Sequence, residues 1–171
     1  MVAPLPAHNG EPLIPLADCF TVSVYPFVDG ESYDWDNYTL EHRRAVLDLL
    51  IAVHTAPPQV RDQARPDDYA IPFRDAVTTV LTDGRGDPAR GPYARPAAEL
   101  LTAHAAGVRQ ALARYDDLVA AARADPPELV LTHGEPHPGN TMRTENGWLL
   151  IDGDTALIAP PERDLWDLDP N

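Results

Sequence analysis

Residues 131–140 read LTHGEPHPGN, and LLIDGDTA follows at 149–156. The ten positions hold two histidines, a glutamate, an asparagine, two glycines and two prolines. Proline lacks the backbone donor and clashes inside a helix. Gly134, Pro136 and Pro138 therefore forbid a helix here. The flanking runs ELVLTH (128–133) and WLLID (148–152) are short and apolar, and Asn146-Gly147 between them is a strong hairpin-turn signal. The polar cluster accordingly sits on a small β-hairpin.

The spacing points to a chemistry. Glu135 follows His133 by two residues, Asn140 follows Glu135 by five, and Asp152 follows Asn140 by twelve. Kinase-type phosphoryl transfer uses H-x-D-x-x-x-x-N with a further Asp downstream. Such transfer needs a carboxylate to orient and deprotonate an acceptor hydroxyl. It also needs oxygen ligands, from Asn and Asp, to hold Mg²⁺ against nucleotide phosphates. A tight hairpin brings the three groups together. Two other readings stay open. His133, His137 and Asp152 could form a zinc hydrolase site, although the four-residue histidine spacing suits a helix that cannot form. His133 and Asn140 could also be hydrogen-bonding residues of a tight turn.

Upstream, residues 18–28 alternate apolar and polar residues and read as a strand, with VAPLP (2–6) before the HNGEP turn as its partner. TLEHRRAVLDLLIAVH (39–54) predicts a buried helix, apolar almost all round, stopped by Pro57 and Pro58. A second helix is expected at 72–82, with Pro72 in its first turn and Phe73, Val77 and Val80 inward. GRGDPARGPYAR (84–95) reads as a loop. A long helix over 96–123 should present Leu101, Ala105, Val108, Leu112, Tyr115, Val119 and Ala122 along one seam, with a bend at Gly107.

The bulk numbers bound the function classes. The chain has 171 residues, 44% of them apolar, and no apolar run long enough to span a bilayer. One cysteine, Cys19, excludes an internal disulfide, and residues 1–12 have no signal-peptide pattern, so a cytoplasmic location is expected. Acidic residues outnumber basic ones 27 to 13, a net charge of −14. That field disfavours nucleic acid and anionic membranes as partners and favours a cationic small molecule.

HGEPHPGN and LLIDGDTALIAPPERDLW together resemble the catalytic loop of the aminoglycoside phosphotransferase family, usually HGDxHxGN followed by IDW[DE]. APPERDLW is most similar to its spectinomycin-phosphotransferase-like branch. The resemblance spans residues 20–166 and implies an α+β, protein-kinase-like fold. Residues 1–30 would be a remnant N-lobe hairpin and hinge, and 31–171 a mainly helical C-terminal lobe carrying the catalytic hairpin. It implies ATP and Mg²⁺ as cofactors and a hydroxyl acceptor, an aminoglycoside or related molecule. Glu135 then takes the catalytic carboxylate's place, His133 supports the loop, and Asn140 and Asp152 are the metal ligands. SVYPFVDG (23–30) resembles the hinge, with Tyr25 and Phe27 beside the adenine. Asp154 and Asp164 become substrate-side or structural acids.

This chain departs from the family pattern at three places. Glu135 replaces Asp, moving the carboxylate outward by about 1.5 Å. Gly153 stands where an aromatic is usual. No Gly-rich strand–turn–strand and no lysine-bearing strand precede the hinge, and GRGDPARG is no substitute. Weak or absent turnover is therefore expected of this chain, and a catalytically dead, pseudokinase-like binding module is the alternative function. The hairpin edge is open to pairing with another chain or a second copy.

Overall fold

The computed structural model describes residues 2–168. Within them, the chain up to Asp67 and from Glu128 onward forms one compact unit, and Asp68–Pro127 forms another.

The first unit is built on three small antiparallel sheets. β1 (Ile14–Leu16) pairs with β2 (Phe20–Val22). β3 (Glu31–Ser32), β5 (Thr141–Thr144) and β6 (Gly147–Leu150) form the second sheet, in the order β3-β5-β6. β4 (Val130–Thr132) pairs with β7 (Leu157–Ala159). One helix, α1 (Leu40–His54), packs on β4 and β6, and a single turn, α2 (Pro58–Arg61), follows it. Thr39 starts α1: its hydroxyl accepts from the His42 amide, while His42 Nδ1 accepts from the Thr39 amide. This reciprocal pair satisfies two donors that the first helical turn leaves unpaired. Val46 and Leu50 of α1 are fully buried with Leu150 and Tyr38. Burial of the two aliphatic side chains contributes about 1.5–3 kcal/mol each.

The structure corrects several expectations. α1 is buried on one stripe only: Leu47 and Ile51 are 41% and 52% exposed, because β4 and β6 cover a single side. The strand expected over 18–28 shrinks to Phe20–Val22 and pairs with Ile14–Leu16, not with residues 2–6. Pro4 and Pro6 explain the difference, since neither can donate to a ladder. A single bond from the Leu5 amide to the Val24 carbonyl is what pairing remains there. A hairpin does turn here, at Glu145-Asn146 with Gly147 (φ +113°) opening the next strand, but it joins β5 to β6. The ELVLTH strand instead pairs with Leu157–Ala159, so the polar cluster links two sheets rather than sitting at a hairpin tip.

The second unit holds α3 (Arg74–Asp83), α4 (Ala94–Ala103) and α5 (Ala105–Ala124). α3 begins later than expected. Phe73 adopts a left-handed conformation before the helix and is 80% exposed, not inward. Val77 and Val80 are half-buried and Leu81 is buried. The long helix is two helices, broken at His104 (φ −108°, ψ 17°) rather than bent at Gly107. All seven seam residues named above are nonetheless half-buried, so the periodicity located the inward face correctly. Arg74 holds Asp116 through two 2.6 Å bonds, and Arg109 donates to the Leu81 carbonyl at 2.6 Å, tying α3 to α5.

Gly86 lets the loop before α4 lie on that helix. A Cβ there would collide with the Ala94 carbonyl and press within 3.1 Å of the Ala98 Cβ. Gly86→Ala is expected to destabilise the second unit by about 1–3 kcal/mol, the usual cost of overpacking. A denaturant titration following helical signal checks this, and an unchanged midpoint would refute it.

Candidate active site

The loop from His133 to Asn140 enters from β4 and leaves into β5. Gly134 takes φ +97°, and its missing Cβ makes room for the Arg163 guanidinium. Pro136 and Pro138 are fully buried and stiffen the path into a 3-10 turn at Pro138–Asn140.

Every backbone group at the head of this loop has a partner. Asp164, fully buried, accepts from the His133 amide at 2.9 Å and the Gly134 amide at 2.6 Å. His54 Nε2, at the end of α1, donates to the same carboxylate at 2.9 Å. Thr155 donates to the His133 carbonyl, and Trp166 Nε1 donates to the Gly134 carbonyl. Arg163 bonds the Thr132 hydroxyl and the Thr155 carbonyl, both at 3.0 Å. Asp164 thus lies beneath the loop, not on its open face.

His133 is fully buried, and both ring nitrogens are engaged. Nε2 donates to the Ile151 carbonyl at 2.9 Å, and Nδ1 accepts from the Glu135 amide at 3.4 Å. Burial pushes its pKa below the ordinary 6.5, against the raising influence of the Ile151 carbonyl and the Asp164 and Asp152 charges. The ring is therefore neutral, with its proton on Nε2, and supports the loop rather than shuttling protons. Because the folded pKa is the lower one, the unfolded chain binds the proton first. The contribution of His133 to stability is complete above about pH 6.5 and falls as pH drops from there towards the folded pKa. A His133→Gln variant is expected to flatten that part of a stability-against-pH curve. An unaltered slope would assign the pH dependence elsewhere.

Asn140 donates through Nδ2 to the Glu135 carbonyl at 2.9 Å, which fixes its amide and leaves Oδ1 as the acceptor. The Ile151 amide donates to the Asn140 carbonyl at 2.9 Å, setting the exposed Asp152 beside it. Asp152 holds φ +59°, a strained conformation for a non-glycine residue. An oriented amide oxygen and one carboxylate match what Mg²⁺ takes from proteins, the rest of its octahedron coming from phosphates and water. Bound there, the ion would neutralise phosphate charge. Glu135 is exposed on the open side of the same loop. Its amide is tied to His133 and its carbonyl to Asn140, so the backbone that carries the carboxylate is fixed.

Tyr25 and Phe27 line one cavity of about 430 Å³ with Met142, Ile151 and Asp152. The structure thus brings Tyr25 and Phe27 to the same cavity as Asp152. Asp154 is exposed and faces a different cavity, alongside Gly153. The zinc alternative loses its ligand: His133 has no ring nitrogen left. Among the described residues no three His, Cys, Asp or Glu side chains are placed to hold a metal.

A model of the phosphotransferase enzyme family matches residues 5–168. The chain belongs to that family. Two solved structures share its kinase-like fold. Spectinomycin phosphotransferase, APH(9)-Ia, in complex with ADP and spectinomycin superposes at a TM-score of 0.67 with 21% identity, covering 98% of this chain and 51% of the other. The AMP-bound complex of APH(9)-Ia gives 0.62 and 19%, covering 98% and 54%. This phosphotransferase-family chain therefore spans about half the length of the structures it matches. No curated protein matches it. No helix among the described residues is long and apolar enough to cross a membrane.

Sequence reasoning missed the residues that hold the loop from behind. His54, Thr155 and Trp166 were not among the residues expected at the site. For Thr155 and Trp166 a signal was present, since the DGDTA turn and ERDLW carry them, but a side-chain-to-backbone bond has no periodicity.

Proposed function

We propose that this chain carries the catalytic face of an ATP-dependent phosphotransferase acting on a hydroxyl of an aminoglycoside or related cationic small molecule. The observation that carries it is the His133–Asn140 loop, held by Asp164, which presents Glu135 openly and bonds through the Asn140 carbonyl to the Ile151 amide, while the neighbouring Asp152 lines the Tyr25–Phe27 cavity. Glu135 accepts the acceptor hydroxyl's proton as the oxygen attacks the γ-phosphorus of ATP. ADP is the leaving group. Asn140 and Asp152 would hold Mg²⁺, and Tyr25 and Phe27 would flank the adenine. The excess of acidic residues favours a cationic acceptor. Family membership and fold support the reading.

Glu135 in place of the family's usual Asp favours a second reading, a nucleotide-binding module without turnover. The open edges of the β1–β2 hairpin would then pair with another chain or a second copy. Transfer of labelled γ-phosphate from Mg-ATP to a panel of aminoglycosides and aminocyclitols separates the two. Labelled product supports the enzyme, calorimetric Mg-ADP binding without product supports the module, and neither result leaves both refuted.

A further inference from the structure

A second cavity, of about 620 Å³, opens beside the Asp152–Asp154 turn. α1 supplies Ala52 and Val53, β4 supplies Leu131, and Gly153 and Asp154 close one side. Its size is that of a small-molecule site. Small side chains make the room: Gly153 contributes none, and Ala52 stands on the helical wall. Leu131 and the fully buried Leu150 give it an apolar floor. Tyr25 and Val2 border both this cavity and the one that contains Asp152.

The lining carries one charged side chain, Asp154, and no Arg or Lys. Phosphate and carboxylate ligands are therefore disfavoured, because nothing would replace their hydration while Asp154 repels them. A cation is favoured at the rim and an apolar body inside. We propose that this cavity binds an organic amine bearing an aromatic or branched apolar group, its ammonium held by Asp154 and its body against Ala52, Val53 and Leu131. The site is separate from the Tyr25–Asp152 cavity and goes beyond the phosphotransfer reading, on which it does not rest.

Tryptamine is a suitable probe, with indole-3-propionate as its anionic counterpart. Titration calorimetry on the full chain should show saturable tryptamine binding and none for indole-3-propionate. Asp154→Asn is expected to weaken tryptamine about tenfold, the loss of one charge-assisted contact. Two substitutions fill the space from different elements, Gly153→Leu from the turn and Ala52→Phe from α1, and each should abolish binding. Circular dichroism establishes that each variant is folded, and using both walls keeps the test alive if one is not. Equal affinity for the two probes, or tryptamine binding unchanged in Asp154→Asn and in a folded cavity-filling variant, would overturn the proposal. So would displacement of tryptamine by Mg-ADP, which would place it in the other cavity.

Discussion

Asp164→Ala is expected to cost about 3–5 kcal/mol of folding stability, the scale for removing one partner from a buried charged cluster. The fully buried carboxylate takes three donors, the His133 and Gly134 amides and His54 Nε2. Alanine would strand the two buried amides away from water and leave the part-buried His54 ring without its acceptor. Each unpaired buried donor costs about 1–3 kcal/mol, and only part of that is relieved if the loop shifts to find solvent. Domains are stable by about 5–15 kcal/mol, so the loss takes a large share of the total. Asp164→Asn keeps the shape and one acceptor but turns an NH₂ towards a donor, so its loss should be smaller yet substantial. Denaturant midpoints read the totals, and hydrogen exchange at the His133, Gly134 and Glu135 amides reads the location. A loss below about 1 kcal/mol for alanine would show that the carboxylate is not what holds the loop.

That anchor explains what the sequence could and could not disclose. The irregular path through 133–140 was legible because Gly134, Pro136 and Pro138 forbid a helix, and the structure ties His133, Glu135 and Asn140 into one hydrogen-bonded loop. Helices were legible where a single seam ran through them, as along Leu112, Tyr115 and Val119. Strand pairing was not. Pro4, Pro6 and Pro15 erode the N-terminal ladder, and a three-residue strand such as Leu157–Ala159 is too short to declare a period. Nor could periodicity reveal that α1 would be covered on one side, since Leu47 and Ile51 read as core by type alone. The break at His104 had no proline or glycine to mark it. The residues behind the loop, His54, Thr155 and Trp166, are scattered along the chain and meet it through the Asp164 carboxylate and through backbone carbonyls.

Glu135→Gln is expected to lower phosphoryl transfer by about 10²–10⁴-fold, the range for losing a general base, while leaving Mg-ADP affinity within about twofold. The separation follows from placement. Glu135 stands on the exposed side of its loop, whereas Tyr25, Phe27 and Asp152 line the cavity assigned to the nucleotide. Gln keeps the side-chain length and the backbone bonds to His133 and Asn140, so the change removes only the ability to take a proton. Glu135→Asp is the informative companion. Its carboxylate retreats by about 1.5 Å from a backbone that cannot follow. If the acceptor is seated for the longer side chain, Asp should cost about 10²-fold, since misplacement near 1 Å already carries that scale of loss. If Asp instead raises the rate, the acceptor sits where the usual family carboxylate would reach it, and Glu135 itself accounts for slow turnover. Should Glu135→Gln leave transfer intact while Asp154→Asn abolishes it, the base is Asp154 and the reacting hydroxyl lies on the Gly153 side of the hairpin.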